Sequence, residues 1–211
     1  MRLFTAVYPS TEALAHLDLA LSGVGADVLG PGLRRVPPSQ RHVTLVFHGE
    51  VSDGAVDDYV EDLTSALQDV GPFDLEAAGC GSFGGRTLWI GLGGGVDRLR
   101  ELSHRVARTA EDAGVAGAER SGGRPHLTVA RASSSLVGAD RARARRARRR
   151  GEADQEGPAS PFGAWARALS VYRGPAFTVT EVRVVASRLG AGPAGGPAHD
   201  EVAVVPLGGL R

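Results

Sequence analysis

His42 and Thr44 stand two residues apart in His42-Val43-Thr44-Leu45, and His126 and Thr128 repeat that spacing in His126-Leu127-Thr128-Val129. Both strings read as β-strand, where side chains alternate between faces, so each histidine shares a face with its threonine. With 6 histidines and 9 threonines in 211 residues, chance supplies roughly 0.3 such strings, which makes a matched pair a signal. Context strengthens it. A basic residue and prolines precede each copy (Pro37, Pro38 and Arg41; Arg124 and Pro125), and apolar strand residues follow. Two imidazoles facing one cavity suit a reaction in which one group takes a proton while another gives one, because histidine titrates near neutrality. Phosphodiester cleavage has that requirement: a base deprotonates the attacking water, an acid protonates the departing oxygen, and hydroxyl donors hold the non-bridging oxygens. Thr44 and Thr128 are the candidate donors, and no metal or other cofactor is required. A histidine metal site is the weaker alternative, since the chain holds no His-Glu-x-x-His, His-x-His or cysteine cluster and threonine is a poor zinc ligand. For either motif alone, an ordinary half-buried β pair is the competing reading.

The elements that must position these residues follow from alternation and turn signals. Strands are predicted near 3–8, 42–48, 73–79, 87–92, 125–131, 177–187 and 200–206. Helices are predicted over 10–22 with Ser10 or Thr11 as cap, and after Ser52 or Asp53 with Val56, Tyr59, Val60, Leu63 and Leu67 at three-and-four spacing. A third, about 96–113, puts Val96, Leu99, Leu102, Val106 and Ala110 on one face, and a weaker fourth lies near 161–170. The order strand, helix, His-x-Thr strand, helix, strand occurs twice, which reads as duplication of an α+β unit whose two lobes share a central cleft.

The length fits one domain spanning 1–211, built as two intimately packed lobes. Hydrophobic content of 42% and charged content of 23% are ordinary for a soluble globular protein, and no apolar run approaches the roughly 18 residues of a membrane-spanning helix. The N-terminus enters a strand-like run, Leu3 to Tyr8, too short for a signal-peptide core, and the lone cysteine, Cys80, reads as a small buried hydrophobe. Both point to the cytoplasm. A net charge of zero hides an asymmetry: Arg141–Arg150 holds seven of the 24 basic residues, all arginine, and no acid. Like charges three and four apart repel on a helix, so about 133–157 is predicted as a flexible Arg-rich insertion. Its functional reading is electrostatic capture of a polyanion by an otherwise acidic protein, against that of a solvated loop. Residues from Pro193 to Pro197 read as a second flexible turn.

The chain resembles the RNA 2′,3′-cyclic phosphodiesterase, or 2′-5′ RNA ligase-like, family of the two-histidine phosphoesterase superfamily. The resemblance is carried by Met-Arg-Leu-Phe-Thr-Ala-Val at the start, Val36-Pro37-Pro38 leading into Arg41 to Phe47, and Gly49-Glu50-Val51. It continues in Gly81-Ser82-Phe83, Leu88-Trp89, Arg124 to Arg131, Ser187-Arg188-Leu189-Gly190, and a closing strand ending Pro206-Leu207. It implies an α+β, bilobal, pseudo-twofold fold with antiparallel sheets lining the cleft and helices outside. It also implies metal-independent opening of a terminal 2′,3′-cyclic phosphate to a 2′-phosphomonoester, with weak reverse 2′-5′ ligation. His42 would be the proton donor and His126 the acceptor, with Thr44, Thr128 and Arg131 on the phosphate. Strict alternation, however, puts Arg131 on the face opposite His126 unless the strand bulges.

The chain departs from the family pattern at three places. His48 stands where leucine is common and, in a regular strand, shares the face of His42 and Thr44; a satisfied, partly buried histidine is expected. His199 replaces a common tyrosine, altering an aromatic contact, and the Arg run is longer and more basic than the usual connection. Phe83, in a Gly-rich turn, is a candidate for stacking on a terminal base. Trp89 is expected in the core, and His16 and His104 as structural or exposed residues. The expected partners are RNA 3′ ends or small cyclic phosphates, with no membrane and a monomeric chain. Two alternatives remain: a phosphodiesterase for a small cyclic nucleotide-type phosphate, and a non-catalytic RNA-end binder, for which a matched acid and base would be superfluous.

Overall fold

The computed structural model describes residues 1–26, 29–115, 119–120, 124–150, 160–192 and 196–208. Along them run β1 (Arg2–Val7), α1 (Thr11–Gly23), β2 (Leu33–Arg35), β3 (Val43–Glu50), α2 (Val56–Ala66), β4 (Phe73–Phe83), β5 (Thr87–Gly94) and α3 (Val96–Asp112). Next in the chain come β6 (Glu119–Arg120), β7 (His126–Ala132), α4 (Ser134–Arg149), α5 (Gly163–Ala168), β8 (Arg173–Val179), β9 (Glu181–Arg188) and β10 (Ala198–Pro206). Two five-stranded antiparallel sheets result, ordered β10-β9-β1-β3-β6 and β2-β7-β5-β4-β8. The fold is α+β and bilobal, and the motif strands hold equivalent places: β3 lies between β1 and β6, and β7 between β5 and β2.

The lobes are not the two consecutive halves that the element pattern implied. The series β1-α1-β2-β3 is repeated by β5-α3-β6-β7, yet the short strand after each helix pairs with the motif strand of the other lobe. Leu33 of β2 lies opposite Ala132 of β7, and Arg120 of β6 opposite Val46 of β3. The helices are exchanged too, α1 packing on β8 and β4 and α3 on β3. Neither half of the chain therefore completes its own sheet. Strands of three and two residues carry too few alternating positions to show in sequence. The predicted strand 177–187 is likewise two, because Thr180 separates β8 at the edge of one sheet from β9 in the other. Val-rich alternation on both sides hid the break.

Local signals account for the helices. Ser10 caps α1, its Oγ accepting the Ala13 N–H at 3.2 Å, as an N-cap serine should. Ser52 makes no such bond, and a 3₁₀ turn over Asp53–Ala55 leads into α2 instead. Leu99, Leu102, Val106 and Ala110 form the buried stripe of α3. The Arg run departs from expectation: α4 is helical through Arg149 rather than a loop. Alanine and arginine are good helix formers, Asp140 pairs with Arg143 at 3.2 Å, and Arg141 donates to the Gly84 carbonyl, so repulsion is partly offset. Residues 151–159 of the expected insertion, and 193–195 of the second expected turn, lie outside the described residues. No described helix is long and apolar enough to cross a membrane.

One buried cluster joins Leu3, Val7, Leu45 and Leu63 with Leu88, Ile90, Leu127 and Leu102. A separate small cluster, Phe4, Ala6 and Val185, with Tyr8 and Phe47 against it, lies on the other face of β1 and backs the cleft.

Candidate active site

Both sheets contribute to one cleft of about 510 Å³, and His42, Thr44, His126, Thr128 and Arg131 all line it. A shared local irregularity makes this possible. In β3 the partners of Thr5 and Ala6 are Val46 and Thr44, so Leu45 is skipped; in β7 the partners of Leu88 and Trp89 are Ala130 and Thr128, so Val129 is skipped. Each motif thus ends in a β-bulge three residues after its histidine, with two consecutive core residues, Leu45-Val46 and Val129-Ala130. A bulge reverses the inward and outward parity of the residues that follow it, up to any further bulge such as the one at His48 in β3. It turns Arg131 onto the cleft face, opposite to its placement by strict alternation, and it turns Phe47 there in the other lobe.

The same reversal corrects the expectation for His48. The residue leaves the face of His42 and Thr44 and is fully buried in the core. There its Nε2 lies 2.9 Å from Thr5 Oγ1 and 3.3 Å from the Tyr59 hydroxyl, while Thr5 and Tyr59 bond each other at 2.8 Å. Its Nδ1 has no partner, and burial pushes the imidazole down to about 4.

The two cleft histidines differ in their surroundings. His42 stacks on Phe4 with ring centroids 4.7 Å apart, and His199 meets it edge-on at 5.3 Å. Burial, then the neighbouring His199, hold its imidazole down at about 4; the Gln40 backbone opposes this, and Arg131 and His126 add to it. Its Nδ1 is buried without a hydrogen-bond partner. His126 instead places Nδ1 2.9 Å from the Arg124 carbonyl. A carbonyl only accepts, so Nδ1 carries the hydrogen and the neutral ring keeps its lone pair on Nε2.

His199, which the sequence marked only as an altered aromatic contact, is a third imidazole lining the cleft. Burial and then Arg131 lower its pKa, while Asp200 opposes them. Arg131 is itself lowered by burial and by Arg34. The positive charge of Arg131 thus disfavours protonation of both His42 and His199.

Phe83 is 43% exposed and sits edge-on to His126 at 4.9 Å, at the margin of the cleft. Trp89 is buried, as expected, but outside the main core: it packs on Phe83 at 5.2 Å, and the Arg124 guanidinium covers it at 5.3 Å. The other basic residue flanking a motif, Arg41, is wholly buried, bonding Asp18 at 2.8 Å and the Val36 carbonyl at 3.0 Å. His16 bonds the Tyr172 hydroxyl at 3.0 Å, far along the chain from either motif. Cys80 is free and half-buried, and burial pushes its thiol up to about 11. Among the described residues no group of three or more His, Cys, Asp or Glu could hold a metal ion. Sequence reasoning missed Phe4 and Arg34 as cleft residues, and neither carries a local signal. Phe4 resembles any strand aromatic, Arg34 lies on a three-residue strand, and His199 arrives only through the pairing of β10 with β9, opposite Ser187.

The model of the 2′-5′ RNA ligase superfamily matches residues 13–173. The RNA 2′,3′-cyclic phosphodiesterase of Aquifex aeolicus is 29% identical over 103 residues, covering 47% of this chain and 55% of that protein. The one from Aeropyrum pernix is 33% identical over 106 residues, covering 48% and 58%. The matched region spans little more than half the length of these curated relatives. Among solved structures, a Thermus thermophilus protein superposes with a TM-score of 0.68 at 21% identity, covering 100% of both chains. Escherichia coli LigT in complex with ATP gives 0.62 at 19% identity, covering 99% and 98%. At such identity the likeness is one of fold, and it agrees with the two-sheet architecture. With the superfamily model covering most of its length and both lobes in place, the chain belongs to the 2′-5′ RNA ligase superfamily.

Proposed function

We propose that this protein hydrolyses RNA ends bearing a 2′,3′-cyclic phosphate to 2′-phosphomonoesters, with His126 as base and His42 as acid. The observation that carries this reading is the convergence of both His-x-Thr pairs and Arg131 on one cleft. His126, its Nδ1 hydrogen engaged by the Arg124 carbonyl, takes a proton from water through Nε2 as the water oxygen attacks phosphorus. The bond from phosphorus to O3′ breaks, and His42 delivers a proton to that oxygen, leaving a 3′-hydroxyl and a 2′-phosphate. Thr44, Thr128 and Arg131 hold the non-bridging oxygens as charge accumulates on them.

Burial and its neighbours hold His42 down at about 4, hence neutral at physiological pH. An opposite charge within a few ångströms favours the protonated imidazole, so the anionic phosphate brings the donor into its working state on binding. Acid, base and anion donors all come from the chain, and the proposed reaction runs without metal. Its reversal is ligation of a 2′-phosphate with a hydroxyl, but water at about 55 M normally favours hydrolysis. Phe83, exposed beside His126, is proposed to stack on the terminal base.

The test is incubation of the purified protein, with chelator present, with an oligoribonucleotide ending in a 2′,3′-cyclic phosphate. The expected product carries a 2′-phosphomonoester. Absence of turnover with chelator, restored by a divalent cation, overturns the metal-free chemistry. Cleavage of small cyclic nucleotides alone shifts the substrate class, and tight binding without turnover reduces the protein to an RNA-end binder.

A further inference from the structure

We infer that the groove framed by Arg34, Arg86 and Arg131 is a second phosphate subsite, taking the phosphodiester one nucleotide upstream of the reacting end. This rests on the RNA-end reading above and extends it from a terminal group to a chain. Arg34 and Arg131 line both the catalytic cleft and a second concavity of about 690 Å³, so the two spaces adjoin across these two arginines. Arg86, Thr87 and Ser133 supply further donors there, and none of the described lining residues is acidic.

The sheet fixes this arrangement. β2, β7 and β5 are adjacent strands, and Arg131 of β7 has Arg34 of β2 directly opposite on one side and Thr87 of β5 on the other. Like charges directly opposite across strands are destabilising, and Arg34 adds to the burial that lowers the Arg131 pKa. An anion between them converts that repulsion into attraction. Arg86 is held at the rim by its bond to Ser134 Oγ at the start of α4, and its carbonyl accepts the Ala132 N–H at 2.8 Å. Gly32 lets the far wall close: at φ +83 it tolerates a conformation most residues avoid, and a Cβ there would stand 2.9 Å from Ser133 Oγ.

A mononucleotide occupies the catalytic cleft alone. A longer strand must leave it, and this groove offers fixed guanidinium and hydroxyl donors spaced along one side, the requirement for tracking a sugar–phosphate backbone. Beyond it α4 continues the basic surface with Arg141, Arg145 and Arg149.

The test compares wild type with Arg86→Gln and Arg86→Glu, changes at an exposed residue that does not line the catalytic cleft, on an oligoribonucleotide with a terminal cyclic phosphate and on 2′,3′-cyclic AMP. For the oligonucleotide, Arg86→Gln should raise KM about three- to tenfold at low salt with kcat unchanged, and Arg86→Glu should raise it further. The slope of log KM against log salt should shrink by about 0.7, the value for one single-strand phosphate contact. Kinetics on 2′,3′-cyclic AMP should not move. Unchanged oligonucleotide KM, or equal changes on both substrates, overturns the subsite. Binding of a fluorescent trinucleotide carrying a terminal 2′-phosphate, set beside adenosine 2′-phosphate, reads the groove without turnover. If wild type cleaves neither substrate, the catalytic proposal fails, and selective weakening of the trinucleotide by Arg86→Gln alone decides the subsite.

Discussion

β3, which begins one residue after His42, and β7, which begins at His126, share a His-x-Thr string, a bulge and a place in their sheets, yet the residues around them diverge. The bulge in β3 presents Phe47 to the cleft, where Arg2 lies over its ring at 5.0 Å; the bulge in β7 presents Arg131. The arginine before the first motif is locked in the interior by Asp18, and the one before the second covers Trp89. His42 is enclosed by Phe4, Tyr8 and His199, whereas His126 is oriented by a backbone carbonyl beside an exposed phenylalanine. Repetition of a backbone device thus supplies two imidazoles at matched positions, and different neighbours give the two rings different surroundings.

The comparison breaks most directly at the histidines. His42→Ala and His126→Ala should each lower kcat by about 10²- to 10⁴-fold with the fold retained by circular dichroism, the usual contribution of a positioned acid or base. Wild-type turnover in either variant would end the two-histidine mechanism. Next come the groups proposed to hold phosphate. Thr44→Val, Thr128→Val and Arg131→Gln should each lower kcat/KM by about 10- to 100-fold, the scale of a lost hydrogen bond to a charged group. Phe47→Leu, at the position equivalent to Arg131, should change it by less than about threefold, and equal losses at the two sites would erase the asymmetry proposed between the strands.

A smaller effect, on stability alone, is expected at His48. Its folded pKa of about 4 lies below the ordinary 6.5, so the unfolded chain binds more protons between those values. Stability is therefore full above about pH 6.5 and falls as pH drops through 4, by up to about 3 kcal/mol from this residue. His48→Leu leaves the Thr5–Tyr59 bond intact and should flatten that loss in urea unfolding while turnover is preserved. An unaltered pH slope would show that His48 is not the titrating group. Least in size is a spectroscopic change: inorganic phosphate should move the His42 pKa upward from about 4 by proton NMR, because an anion favours the charged ring. A shift confined to His126 would reverse the donor and acceptor roles.

Much of this was legible in residue types and their periods. Alternation around Val43 and Leu127 located the motif strands, three-and-four spacing located α2 and α3 with their buried Leu63 and Leu102, and Ser10 announced the start of α1. The matched His-x-Thr strings also named four of the residues that meet in the cleft. His48 was the residue misplaced, and Arg131 the one whose face unbroken alternation left in conflict with the resemblance. In both strands a bulge of one skipped residue reverses the faces just beyond it, with no glycine or proline at the skipped position to mark it.

What the sequence determined by itself was therefore local: where most of the longer strands and helices lie, and which residue types could exchange protons and hold a phosphate. The tertiary structure decided which lobe each element serves, since β2 and β6 cross to the opposite sheets and α1 and α3 pack away from their own strands. It also decided that His199 and Arg34 line the cleft, and that Arg34 and Arg86 line the adjoining concavity. The physical reason is that strand pairing joins residues far apart in the chain through backbone hydrogen bonds, which are common to all side chains. The partner of a strand is accordingly set by packing of the whole molecule and leaves little trace in the residues that pair.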